Sequence, residues 1–327
     1  EMLRTGTTCF SDMYFFPEIA AQMARDAGMR AQVCFPLMEM PTAWGSGPDE
    51  YLAKGEALLR EWRDDPWVRI AIGPHAPYTV ADNTLERAVT LQQSSGAALQ
   101  IHLHETAFEV EEALRQTGQR PIARMQALGV LNAHSQCVHM TTLDDNDMAM
   151  VASSGTHIIH CPESNLKLAS GFCPVHALQK AGTNVAIGTD GAASNNDLDL
   201  FGELSTAAML AKAVSGDAAA LGAHEALAMA TINGARALGR SHELGSLKPG
   251  KQADLIAVDL SDPFLQPVYD PASHLVYSNH GRQVSHSWIA GVPQVQDGRL
   301  TRIDVPDLML RVSDWHQRIA GADRPAS

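Results

Sequence analysis

Short apolar and β-branched runs alternate with stretches of helical apolar spacing over the first 240 residues. Thr7–Asp12, Met29–Phe35, Val68–Gly73, Ala98–His102, Gln136–His139, His157–His160 and Asn184–Gly188 predict strands. Between them, Pro17–Gly28, Asp49–Arg63, Asp82–Ser95, Ala107–Gln116, Ile122–Leu128, Asp144–Ser153 and Val175–Ala181 predict helices, with Asp82 as a candidate cap. A long helical region runs from Leu198 to Leu238. Repeated strand–helix units of this length imply an α/β fold with a parallel sheet. Seven strands precede the long helical region, and a closed (β/α)8 TIM-type barrel has eight. Glu1–Gly6 reads as the last turn of a helix and its glycine stop, so the expected first strand would precede Glu1.

After Gly239 the texture changes. Leu244–Lys251 is turn-rich, Ala253–Val258 and Ser285–Ala290 predict strands of a small β unit, and Pro306–Arg318 predicts an amphipathic helix. The expected organisation is a barrel over residues 1–240, a β segment over 241–304, and a C-terminal helix and tail over 305–327.

The polar residues that close these strands are Asp12, His75, His102, Glu105, His139, His160 and Asp190. A β/α barrel builds its site at the carboxyl ends of its strands. One histidine there reads most simply as a packed structural group; several on successive strands do not. Two segments carry most of the chemistry, His102-Leu103-His104-Glu105 and Gly188-Thr189-Asp190-Gly191. A neutral imidazole at His102 suits zinc or ferrous iron. Glu105, on the loop above, is placed to move a proton, and His104 reads as structural. Asp190 can bind metal through one oxygen and accept a proton from water through the other. A divalent metal lowers the pKa of its water to about 7, and His139 would hold the resulting hydroxide in line. His-x-x-Glu and Thr-Asp-Gly both occur by chance; in register on one sheet they describe a hydrolytic site for an electrophilic carbon.

Composition narrows the setting. The chain has 327 residues, 45% of them hydrophobic, enough for one large core and a smaller unit. A formal net charge of −13 argues against nucleic acid and acidic membrane surfaces as partners. The five cysteines lack CxxC spacing, which fits a reducing cytoplasm, and each reads as a small buried hydrophobe, not a nucleophile. No run reaches membrane-spanning length, no signal peptide is visible, and no GxSxG, P-loop or GxGxxG is present.

Several strings match one known family: Arg4-Thr5-Gly6-Thr7-Thr8, Gly73-Pro74-His75-Ala76-Pro77-Tyr78-Thr79, His102-Leu103-His104-Glu105-Thr106, Val138-His139-Met140, Ser164-Asn165-Leu166-Lys167-Leu168 and Gly188 through Asn196. With Gly245-Ser246-Leu247 and Ala253-Asp254-Leu255 they run through almost the whole chain. The chain resembles the 5-methylthioadenosine/S-adenosylhomocysteine deaminases of the amidohydrolase superfamily, which group with the triazine hydrolases and guanine deaminases. The resemblance implies a β-sandwich beside the barrel and a homo-oligomer. It also implies one divalent metal, zinc or ferrous iron, on His102 and Asp190. Glu105 would shuttle protons, Asp190 accept one, His139 orient the hydroxide, and His75, with Glu105 and Asp190, contact a purine nucleoside. Hydroxide would attack C6 of the adenine ring and give an inosine-type product and ammonia. Ser164, Asn165 and Lys167 read as scaffolding.

The chain departs from the family pattern in three ways. The family's His-x-His metal pair and a glutamate for the ribose hydroxyls belong to a part that would precede Glu1. Cys161 stands where the family has asparagine. Relatives that handle S-adenosylhomocysteine are expected to clamp its carboxylate with arginine, and between Phe35 and Glu61 the only arginine is Arg60, inside an expected helix. A neutral nucleoside such as methylthioadenosine or adenosine is therefore expected. The competing readings are hydrolysis of another heterocycle (s-triazine, guanine or pterin) and an inactive, metal-free fragment.

Overall fold

The structure, a computed structural model, describes residues 1–322; the last five residues of the expected tail lie outside it. Glu1–Gly6 forms a single turn, with Thr5 N–H donating to the Glu1 carbonyl at 3.0 Å and Gly6 at φ +94° ending it. Seven strands then follow: β1 (Cys9–Met13), β2 (Arg30–Leu37), β3 (Val68–Pro74), β4 (Leu99–Leu103), β5 (Ser135–His139), β6 (His157–His160) and β7 (Val185–Ile187). They pair in sequence order, every neighbour parallel, in one curled sheet of the TIM-barrel type with β1 and β7 at its edges. β2 is buried at all eight positions, as expected of a parallel strand covered on both faces.

Helices α1 (Pro17–Asp26), α2 (Pro48–Glu61), α3 (Asp82–Ser95), α4 (Ala107–Thr117), α5 (Pro121–Ala127) and α6 (Asp145–Ser154) connect the first six strands. Proline at the first helical position starts α1, α2 and α5, where its missing N–H costs nothing. The cap expected at Asp82 is instead Ala81, and Asp82 opens the first turn of α3, where it pairs with Arg124. Helix α2 passes so close to β2 that a β-carbon on Gly55 would lie 2.3 Å from the Phe35 ring. Between β6 and β7 lie α7 (Pro162–Lys167) and α8 (Val175–Lys180). Beyond β7, the long helical region resolves into α9 (Ala192–Asn195), α10 (Leu200–Ser215), α11 (Ala223–Met229) and α12 (Ile232–Ala237).

A second, antiparallel sheet contains β8 (Leu255–Val258), β9 (Val284–Ile289), β10 (Val292–Gln296) and β11 (Arg299–Leu300), in the order β11-β10-β9-β8. Its hydrophobic cluster joins Ile289 and Val295 to Leu3 and Met29. The pattern did not show β10, β11 or α13 (Pro271–Tyr277), whose helix returns to pack on α10 and α11. A final helix, α14 (Val305–Ala322), has its described side chains exposed.

Register positions the site. Leu103 lies opposite His139 and His160 opposite Ile187, so neighbouring strands end level with one another. His75, His102, His139, His160 and Asp190 therefore gather at one edge of the sheet. Asp12 lies within β1 opposite Val33, where burial raises its pKa.

Candidate active site

Three histidines form a row at the ends of β3, β4 and β5. Ring centroids of His75 and His102 are 5.3 Å apart, and those of His102 and His139 are 5.5 Å apart. Each ring has one nitrogen anchored. His75 Nδ1 pairs with Thr79 Oγ1 at 3.0 Å. His102 Nδ1 donates to the His75 carbonyl at 2.8 Å, and His139 Nδ1 donates to Asn165 Oδ1 at 2.8 Å. In a neutral ring, Nδ1 donation leaves the lone pair on Nε2. Burial, helped by the neighbouring His139, pushes His102 down to about 4, so its ring is neutral at physiological pH. Burial likewise drives His160 down to about 3; its Nδ1 is buried with no partner among the described residues.

Glu105 sits above this row, its Oε2 3.9 Å from His139 Nε2 and its Oε1 3.5 Å from Ser170 Oγ. The turn that presents it is held from below. His104, in left-handed conformation at φ 51°, is fully buried, donates from Nδ1 to the Thr142 carbonyl at 2.7 Å and accepts at Nε2 from Ile122 N–H at 3.2 Å. It is a structural histidine. Glu109 accepts from the His104 and Glu105 amides at 2.9 and 2.8 Å, and Thr141 Oγ1 donates to the Glu105 carbonyl at 2.7 Å. Burial pushes Glu109 up to about 7. The sequence reading missed Glu109; its signal was Thr106-x-x-Glu109, a capping-box spacing whose Thr106 caps α4.

Asp190 also adopts the left-handed region, at φ 60°. Its Oδ1 accepts from the Gly191 amide at 2.8 Å and its Oδ2 from Ser164 Oγ at 2.6 Å. Asp190 acts electrostatically on His102, raising its pKa against the effect of burial. Ser164 and Asn165 lie on α7, a helix the pattern did not show, and each holds one candidate site residue. Lys167 on the same helix donates to the Ala193 carbonyl at 3.0 Å and to Asn196 Oδ1. All five cysteines are free, and burial raises every thiol pKa, Cys137 to about 12, so none is an activated nucleophile.

Among the described residues, no three His, Cys, Asp or Glu side chains meet as a metal cage. Two donors of suitable chemistry are present: the free Nε2 of a neutral His102 and the Asp190 carboxylate. An imidazole with a carboxylate fits a divalent cation of the zinc class, and a zinc site takes three or four protein ligands.

Comparison with known proteins places the chain in a family. Residues 1–293 match the amidohydrolase family. The chain belongs to that family. The 5-methylthioadenosine/S-adenosylhomocysteine deaminase of Teredinibacter turnerae is 51% identical over 324 residues, covering 99% of this chain and 73% of the relative. An adenosine deaminase from Xanthomonas campestris, solved with bound zinc, superposes with a TM-score of 0.97 at 48% identity, over 98% of this chain and 73% of that one. The atrazine chlorohydrolase of Arthrobacter aurescens shares the fold alone, with a TM-score of 0.89 at 22% identity, over 95% of this chain and 73% of that one.

Proposed function

We propose that this amidohydrolase is a hydrolytic deaminase of adenine nucleosides, releasing ammonia from C6 and leaving an inosine-type product. One observation carries the reading: a neutral, singly anchored His102, a Glu105 facing His139 and a tethered Asp190 share the carboxyl end of the sheet, with His139 between them. The identity to a named deaminase over nearly the whole chain supports it. His102 and Asp190 would hold one divalent cation, and zinc is the expected ion because the Xanthomonas adenosine deaminase was solved with it. When bound, such a cation makes water available as hydroxide near neutral pH.

The chain's own residues supply the rest. Asp190 takes a proton from the attacking water. Glu105 takes up the second proton of that water and delivers it to the ring nitrogen, then carries the first from Asp190 to the departing amine as the C6–N bond breaks, so the two hydrogens of the water end on the ring and in the ammonia. His139, its Nδ1 fixed by Asn165, aims Nε2 at the attacking oxygen. His75, at the mouth beside the exposed Tyr78, meets the nucleoside.

The preferred substrate is neutral at its 5′ end. Arg120 and Arg124, on the segment after β4, and Lys167, after β6, are each committed to protein partners: Asp147, Asp82 and the carboxyl end of α9 respectively. The test is ammonia release by the zinc-loaded chain from methylthioadenosine, adenosine, S-adenosylhomocysteine, guanine and an s-triazine. Turnover of the first two above the rest is expected. Equal kcat/KM for methylthioadenosine and S-adenosylhomocysteine would remove the 5′ preference. Turnover confined to guanine or the triazine would remove the nucleoside reading.

A further inference from the structure

We infer that Glu203, on α10 behind the site, is a positioning residue that sets the orientation of Asp190 and of α7 together. Glu203 is fully buried and touches none of the reacting groups proposed above. Its Oε2 accepts from the Glu163 amide in the first turn of α7 at 3.2 Å. Its Oε1 accepts from Asn195 Nδ2 at 2.5 Å, and the same Nδ2 donates to the Thr189 carbonyl at 3.0 Å. One carboxyl group thus joins two segments. The first carries Ser164 and Asn165, which hold Asp190 and His139. The second is the strand end from which Asp190 projects.

Two further facts favour a positioning role over simple packing. Asp190 is in the left-handed region, a conformation that persists at a non-glycine residue only where its surroundings impose it. The peptide carbonyl just before it is the one Asn195 grips. Glu203 is also an expensive residue for its place: Glu163 and Asp197 lie close enough to repel its charge, and burial with this repulsion lifts its pKa to about 9. A site that only needed filling would be filled better by an apolar side chain. A carboxyl is kept where two donors on separate segments must be brought to one point.

The inference rests on the deaminase reading for the choice of activity assay, so its test includes arms independent of that reading. Glu203→Ala, Glu203→Gln and, as a milder break in the same path, Asn195→Ala are compared with the unaltered chain. For Glu203→Ala the expected results are a fall in kcat of at least tenfold with KM within about threefold and weaker zinc binding in competition with a chelator. Glu203→Gln, which keeps one acceptor, should recover part of the kcat loss, and Asn195→Ala should fall between the two. A crystal structure of Glu203→Ala should show Ser164 Oγ and Asp190 Oδ2 beyond hydrogen-bond distance. If that bond stays intact and zinc affinity is unchanged while only the denaturation midpoint falls, Glu203 is a packing residue and the inference is overturned. If the unaltered chain deaminates no adenine nucleoside yet Glu203→Ala still separates Ser164 from Asp190, the proposed substrate is wrong and the positioning role stands.

Discussion

Arg30 stands at the first position of β2, where the parallel sheet meets the antiparallel one. Its side chain is 3% exposed and that of its partner Asp254 is 5% exposed. The contact is bidentate, with Nε to Oδ2 at 2.6 Å and Nη2 to Oδ1 at 3.2 Å. The guanidinium also donates to the Pro66 carbonyl at 3.2 Å and to Gln252 at 3.1 Å, and lies 5.0 Å from the centre of the Trp67 ring. Replacing Arg30 with methionine keeps most of the stem volume and strips Asp254 of all but one donor, the Ala290 amide at 2.7 Å. Leaving such a charge buried costs about 3–5 kcal/mol. Arg30→Met with Asp254→Leu removes both charges, so its loss should fall short of the summed single losses by roughly 1–3 kcal/mol. Urea denaturation followed by circular dichroism measures all three. The seven residue steps of β2 from Arg30 to Leu37 span about 23 Å. Ammonia release per folded molecule should therefore stay within about twofold of the unaltered chain. A single loss below about 1 kcal/mol, the scale of a surface ion pair, or an additive double variant, would refute the reasoning.

Other outcomes follow from the same contacts. Glu109→Ala leaves two amides of the Glu105 turn unpaired and should lower kcat roughly 10- to 100-fold, the effect of about 1.4–2.8 kcal/mol on a barrier, while Glu109→Gln, read in the same ammonia assay, should lose less. Gly55→Ala drives a methyl into the buried Phe35 ring and should cost about 1–3 kcal/mol by urea midpoint, with Phe35→Leu restoring part of it. His160 is held below its ordinary value by burial, so the unfolded chain takes up its proton first as pH falls. Its share of stability is complete above about pH 6.5 and is lost progressively towards about pH 3. His160→Phe should flatten the fall in urea midpoint between pH 6.5 and 4; an unchanged slope would show that the ring is not the group that titrates.

Much of the architecture was legible because the inner parallel strands carry apolar runs buried on both faces, as in Val33–Leu37 and Ile70–Ile72. Elements with weaker patterns escaped. Helix α7 has six residues and opens with proline and glutamate, which resemble a loop, yet its Ser164 and Asn165 reach Asp190 and His139. The strings Ser164–Leu168 and Gly188–Asn196 are far apart in sequence, and only the structure shows that they are stitched face to face by Ser164 to Asp190 and Lys167 to Ala193. Scaffolding, the reading given to Ser164, Asn165 and Lys167, describes contacts that act on the site residues themselves. Glu109 showed only as a capping-box spacing with Thr106, and Glu203 not at all, since a buried glutamate on a helix has the same spacing as one on a solvated face. Their partners are backbone amides and side chains from other segments, which periodicity cannot reveal.

The sequestered thiols have a practical consequence. Burial lifts all five away from the thiolate form, Cys9 to about 11 and Cys34 to about 12, so each reacts slowly with maleimide or iodoacetamide near neutral pH. A cysteine introduced at an exposed position such as Ala193, on the short helix α9 that follows Asp190, would then be the fast-reacting label site on the chain. A fluorophore or spin label placed there would report, against a nearly silent background, on the motion of the loop that carries Asp190.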